Sequence, residues 1–195
     1  MSTNLRRETL AAHSPVPVDV MLPPRTDLGH PARLREMGIN MVSINLEIYD
    51  TDRVRALAPA KARVGAAHTL DYIERAVEAF GVGAVQSLVV LGSAIEPVDS
   101  TLAAVRALAE RGCIPVLSPF RPHAATPLAD AAPASLAEVM DAYARAREIC
   151  DQVGEGVRPG PRCIACQHNT ATLPDGSDFY ISPFGPFPTA AAWTS

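Results

Sequence analysis

From Val16 to about Cys150 the chain alternates short apolar runs with amphipathic stretches, and several of the latter stop at a glycine. Such alternation predicts βα units around a parallel sheet. The predicted strands are Val18 to Leu22, Met41 to Ile48, Val85 to Leu91 and Ile114 to Pro119. Pro115 weakens the last, because it lacks the N–H that a central strand position uses. A short helix from Pro31 to Met37 has an early proline and Gly38 as its stop. Leu70, Ile73, Val77 and Phe80 make one apolar stripe before Gly81. Leu102, Val105 and Leu108 make another, with Asp99 or Ser100 as its cap and Gly112 as its stop. The last helix starts at Ser135, where Ser-Leu-Ala-Glu matches a capping box, and Leu136, Val139, Tyr143 and Ile149 hold its face. The predicted fold class is α/β: a partial, TIM-like βα barrel of about four parallel strands with outer helices. Four βα units do not close an eight-stranded barrel, so an open arc of sheet is expected.

Within the second strand, Ser43, Asn45 and Glu47 alternate with Ile44, Leu46 and Ile48, so one face turns polar. A parallel strand covered by helices is apolar on both faces, which makes three polar groups near its C-terminal end a ligand-site signal. The plain alternative is an antiparallel strand with one face in water.

Composition narrows the class without naming a ligand. The 195-residue chain is 48% hydrophobic, enough for one domain with a tail, and its net charge is -4. The 17 basic residues form no stripe, which argues against nucleic acid as a partner. No apolar run reaches the roughly 20 residues that span a bilayer, and the N-terminus lacks a signal-peptide core, so no membrane partner and a cytoplasmic location are expected. Residues 1–15 read as an extension and 16–150 as the βα domain. Residues 151–195 read as an irregular Gly/Pro-rich tail. Of the four cysteines, Cys113 and Cys150 sit in apolar periodic segments and read as buried thiols.

Ligands of βα folds bind at the C-terminal ends of the strands. There the second strand offers Asn45 and Glu47, the third ends at Gly92-Ser93, and the fourth runs into Phe120-Arg121. The loop after the second strand adds Lys61 and Arg63, suited to a carboxylate or phosphate if they are more than solvated loop charges. One carboxylate, one amide and two or three cations suit a zwitterionic or phosphorylated small molecule. His13, His30 and His68 read as cap or surface histidines, and Phe179, Phe184, Phe187 and Trp193 as anchors of the tail.

With these landmarks in order, the chain resembles the radical SAM enzymes, in the branch of biotin synthase and the [FeFe]-hydrogenase maturases, from about Val18 to Cys150. Ser43-Ile-Asn-Leu-Glu47 is similar to the family's fourth-strand segment, whose acidic residue contacts the ribose or amino group of S-adenosylmethionine. Arg63 is similar in placement to an arginine that holds the methionine carboxylate. Pro119-Phe-Arg121, followed by Ala125-Thr-Pro-Leu-Ala-Asp130, is similar to the sixth-strand segment and its Gly-Thr-Pro-Leu-Ala motif, with Ala125 in place of the glycine. The resemblance implies S-adenosylmethionine across Ser43, Asn45, Glu47 and Arg63, with substrate nearer Arg121.

It also implies a Cys-x3-Cys-x2-Cys loop holding a [4Fe-4S] cluster, and this sequence has no such motif. The predicted strands would match the family's third through sixth, so the chain reads as a truncated relative, inactive alone in reductive cleavage of the cofactor. The tail carries Cys163-Ile-Ala-Cys166-Gln-His168, which leaves open a zinc site or auxiliary cluster, completed by His123, Asp175 or a second subunit, a redox pair, or plain thiols. A different class of reading is a noncatalytic binding or regulatory subunit whose open sheet edges, at the second and fourth strands, are covered by a second chain. An aldolase-like fragment that uses Lys61 and the arginines for phosphate is a third.

Overall fold

A computed structural model describes residues 18–153 and 156–160. Strands β1 (Asp19–Met21), β2 (Met41–Ser43), β3 (Val85–Leu91) and β4 (Ile114–Pro119) form one sheet, all parallel, in the order β1-β2-β3-β4. Helix α1 (His30–Glu36) links the first two strands; α2 (Thr51–Leu57), α3 (Pro59–Val64) and α4 (Ala66–Phe80) link β2 to β3. Helix α5 (Val98–Ala109) precedes β4, and α6 (Leu136–Val153) follows it. The α/β class and the parallel sheet are as the sequence predicts.

Every crossover steps to the next strand in the same direction. Because such crossovers are right-handed almost without exception, the linking helices collect on one face of the sheet. Val42, Ile44, Val85, Val89, Leu91 and Leu117 point to that face and pack with Leu70, Ile73, Leu102, Val105, Leu108 and Tyr143 in a single core. Met41, Ile114 and Val116 are also buried but lie on the opposite face, outside that core.

The glycine stops hold. Gly38, Gly81 and Gly112 follow their helices with φ of 88°, 92° and 74°, a region in which a side chain is strained. The capping box at α6 is present: Ser135 Oγ accepts the Glu138 N–H at 3.2 Å, and Glu138 Oε2 accepts the Ser135 N–H at 3.4 Å. Glu138 Oε1 also accepts the Ser93 N–H at 3.0 Å, tying the end of β3 to this helix. Cys113 and Cys150 are buried, and burial pushes the Cys150 thiol pKa up to about 12.

Four expectations are corrected. Helix α5 is capped by neither Asp99 nor Ser100: it starts at Val98, directly behind Pro97, and the Ser100 hydroxyl turns back to Glu96. The stretch after the second strand is not a loop, because Asp50 caps α2 through the Asp52 and Arg53 amides and Pro59 opens α3 directly behind it. The second strand ends at Ser43 rather than Ile48. Among the described residues the sheet edges are β1 and β4, so β2 is interior.

Pro115 is explained by that last point. On β4 the even-numbered residues bond to β3, and Pro115, Leu117 and Pro119 turn their backbone groups outward. The Pro115 carbonyl accepts the Gly160 N–H at 3.1 Å, and the Leu117 carbonyl accepts the Tyr143 hydroxyl at 2.7 Å. Among the described residues no helix is long and apolar enough to cross a membrane.

Candidate functional site at the strand ends

The chain leaves β2 through a bulge. Ser43 pairs with Gln86, whereas Glu47 pairs with Val89, so one more residue is used on the β2 side than on β3. The ladder records the slip: the Ile44 N–H bonds to Gln86 O at 2.9 Å, and the Leu88 carbonyl accepts Glu47 N–H, at 2.8 Å, where regular pairing would use Leu46. The Leu46 N–H goes instead to the buried Ser87 hydroxyl at 3.0 Å, and Asn45 Oδ1 accepts the Leu88 N–H at 3.3 Å. Glu47 absorbs the extra residue with φ of 67°, the one left-handed non-glycine among the described residues. A one-residue slip reverses the faces of everything beyond it, so Ser43 and Glu47 do not share a pleated face as strict alternation predicts.

Two separate polar groupings result. On the face opposite the described helices, Gln86 Nε2 donates to Ser43 Oγ at 2.7 Å and to Asp19 Oδ2 at 3.3 Å, while Ser43 Oγ lies 3.5 Å from Asp19 Oδ1. Asp19 and Gln86 escaped the sequence reading, although the alternation applied to the second strand, if applied to the first and third, marks both. Asp19 is exposed as a residue, yet its carboxyl lies over the sheet, where desolvation raises its pKa above 3.8 against the lowering bonds from Ser43 and Val20. A raised carboxyl pKa contributes stability that is complete below the unfolded value and is lost as pH rises through the folded one. Asp19→Asn is therefore expected to be more stable than wild type at pH 7, by under about 1 kcal/mol given the screening by water, and equal to it near pH 3. Thermal melts at both pH values check this, and a gain that persists unchanged in acid would contradict it.

At the C-terminal rim, Lys61 of α3 reaches back to the bulge. Its Nζ lies 3.0 Å from Glu47 Oε1 and donates to the Asn45 carbonyl at 2.8 Å, so it is not a free loop charge. Behind the rim stands Glu96, fully buried, whose carboxylate the sequence analysis did not single out. Its Oε2 accepts the Tyr49 and Asp50 N–H groups at 3.0 and 2.7 Å and the Ser100 hydroxyl at 2.9 Å. Its Oε1 takes the Thr101 hydroxyl at 3.3 Å. Glu96 thus locks the segment just after Glu47 to the start of α5, where the helix dipole also favours a negative group. Arg53 adds a second tie, donating to the Ser93 and Ala94 carbonyls at 3.2 and 3.4 Å.

A cavity of about 200 Å³ opens between the end of β1, the bulge and α3, lined mainly by Pro23, Pro24, Leu46, Ile48, Val54 and Val64, with Asn45, Lys61 and Thr69 as its polar members. It is smaller than the roughly 300–1,000 Å³ that enclose a drug-sized ligand. Of the predicted site residues, Asn45 reaches this cavity; Ser43, Glu47, Arg63 and Arg121 do not line it. Arg63 is exposed on α3, with no polar partner among the described residues, and Arg121 is exposed just beyond β4. His30 and His68 have structural contacts: His30 Nδ1 lies 2.6 Å from the buried Tyr72 hydroxyl, and His68 Nε2 lies 2.9 Å from Arg25 O. His123 Nδ1 accepts the Ala125 N–H at 3.2 Å in an exposed turn. Cys163, Cys166, His168 and Asp175, with His13 and the tail aromatics, lie outside the described residues. Among the described residues no three His, Cys, Asp or Glu side chains group as metal ligands. In comparisons with known proteins, no family model and no curated protein matches the chain.

Proposed function

We propose that the chain is part of a radical SAM-like partial βα barrel and binds S-adenosylmethionine at the C-terminal rim of its sheet. The observation that carries this reading is the bulge at 44–47, which ends a buried strand and presents the Glu47 carboxylate, half exposed, beside the Asn45 carbonyl and an apolar cavity. A left-handed non-glycine residue at a strand end is retained where the surroundings over-determine it, and Glu96 and Ser87 do so here. Sequential parallel strands with the linking helices on one face suit a barrel arc, and the rim is where such folds bind ligands. The apolar lining suits the adenine ring, and Arg63 would hold the methionine carboxylate, with substrate toward Arg121.

The family's [4Fe-4S] cluster has no fitting ligand set among the described residues, since Cys113 and Cys150 are both buried in the helix-side core. No step of reductive cleavage is assigned to this chain, and the part argued for it is cofactor binding. Calorimetric titration of S-adenosylmethionine into the wild type and Glu47→Ala tests the reading. Binding in the wild type, weakened about tenfold or more in Glu47→Ala through loss of a charged hydrogen-bond partner, is expected. Equal affinities would remove Glu47 from the site.

A second reading, a noncatalytic subunit that docks onto another chain, is favoured by one observation. Met21, on edge strand β1, is 69% exposed beside the polar Asp19–Ser43–Gln86 face.

A further inference from the structure

Lys61 is the only lysine in the chain; the other 16 of its 17 basic residues are arginines. Its ammonium fills a place that the backbone leaves open. Along the β1–β2 ladder the Leu22 N–H donates to Ser43 O at 3.0 Å, and parallel rungs recur every second residue. The next donor would be residue 24, which is proline and has no N–H. The Asn45 carbonyl therefore lacks its rung, and Lys61 Nζ supplies the bond at 2.8 Å while also pairing with Glu47 Oε1 at 3.0 Å. Two oxygens thus converge on one nitrogen at the edge of the cavity, an arrangement fitted to a primary ammonium.

We propose that Lys61 is a tethered stand-in for a ligand's ammonium group: Glu47 and Asn45 O form an ammonium site that the protein's own lysine fills, and an aminated ligand must displace it. The proposal rests on the cofactor-binding reading above. The lysine and glutamate side chains are 36% and 35% exposed, so the pair is open to water and its exchange for another cation is not blocked by burial. The Lys61-occupied form does not bind, so the apparent affinity of an ammonium ligand is reduced by the fraction of molecules in which the site is vacant. Arg63, two residues on along the same short helix, is exposed and has no polar partner among the described residues.

The test compares wild type, Lys61→Met and Lys61→Arg in calorimetric titrations with S-adenosylmethionine, which carries the ammonium, and 5′-methylthioadenosine, which does not. Lys61→Met should bind S-adenosylmethionine roughly fivefold more tightly than wild type, the size of a partly exposed ion pair removed as competitor. Lys61→Arg should stay near wild type, and methylthioadenosine should bind all three alike. Because the chain has a single lysine, acetylation by an amine-selective reagent, followed by mass spectrometry of the peptide that contains it, reads its release directly. Added S-adenosylmethionine should accelerate the modification.

Unchanged or weaker binding in Lys61→Met, or slower acetylation with the ligand present, would overturn the displacement and make Lys61 a bystander or a ligand contact, with the cofactor-binding reading intact. No S-adenosylmethionine binding in any of the three proteins would overturn that reading and the displacement together.

Discussion

Glu96→Ala is expected to lower stability by about 3–4 kcal/mol, an unusually large loss for a carboxylate that touches no cation among its described partners. The removed oxygens serve the Tyr49 and Asp50 amides and the Ser100 and Thr101 hydroxyls. A buried donor left without a partner costs about 1–3 kcal/mol, and the hydroxyls can rotate to other acceptors while the amides cannot. The two amides therefore dominate the loss. Urea titrations of the variant should show a lower midpoint at similar slope, and hydrogen exchange should accelerate at Tyr49 and Asp50 more than at Ile73. Glu96→Gln, which keeps one acceptor and turns an NH2 toward the remaining donors, should fall between the two. An unfolding free energy within about 1 kcal/mol of wild type, with both amides still protected, would mean that Glu96 is not the anchor of this rim.

Ile73→Ala is the second large expected effect, and it acts in the helix-side core rather than at the strand-end rim. Ile73 is fully buried in α4 within the core that joins Val85, Val89, Leu102 and Val105. Truncation leaves a cavity that a parallel sheet with helices packed against it collapses into only partly, so a loss of about 2–5 kcal/mol is expected. For a domain of this size that is a fall in Tm of roughly 5–15 °C. Differential scanning calorimetry separates the two variants. Glu96→Ala should also loosen the rim at temperatures well below its Tm, whereas Ile73→Ala should leave the Tyr49 and Asp50 amides protected until the whole domain unfolds. A shift under about 2 °C for Ile73→Ala would show that the core repacks around the gap.

The helices were legible in the sequence where their signals are local. Gly38, Gly81 and Gly112 announce their stops because the left-handed backbone they adopt is costly for other residues. Ser135 and Glu138 announce a start because each bonds the other's amide within one turn. The end of β2 was legible as a place and not as a shape. Alternation marks Ser43, Asn45 and Glu47, but the slip in register arises from pairing with β3, where the Ser87 hydroxyl takes the Leu46 amide across 41 positions of sequence. Glu96 was hidden by its neighbours, since Ile95-Glu96-Pro97 reads as a surface loop ahead of a helix. Its burial follows from Ile48, Val54 and Ile95 closing a small apolar cluster over the strand ends. Lys61 was visible as a charge near the rim, but its engagement depends on Pro24 from a separate strand-to-helix turn, a coincidence that only the folded chain assembles.

The proline-bearing strand β4 has a consequence for how this sheet can grow. Of its outward-facing residues, Pro115 and Pro119 bring no N–H, and the Leu117 carbonyl is already committed to Tyr143. An incoming strand would find one backbone donor where it needs a row of them. Fibril-like stacking and strand exchange along that margin are accordingly suppressed, at no cost in core packing. Any partner that lengthens the sheet is steered to β1, a strand of three residues followed, after Leu22, by Pro23 and Pro24.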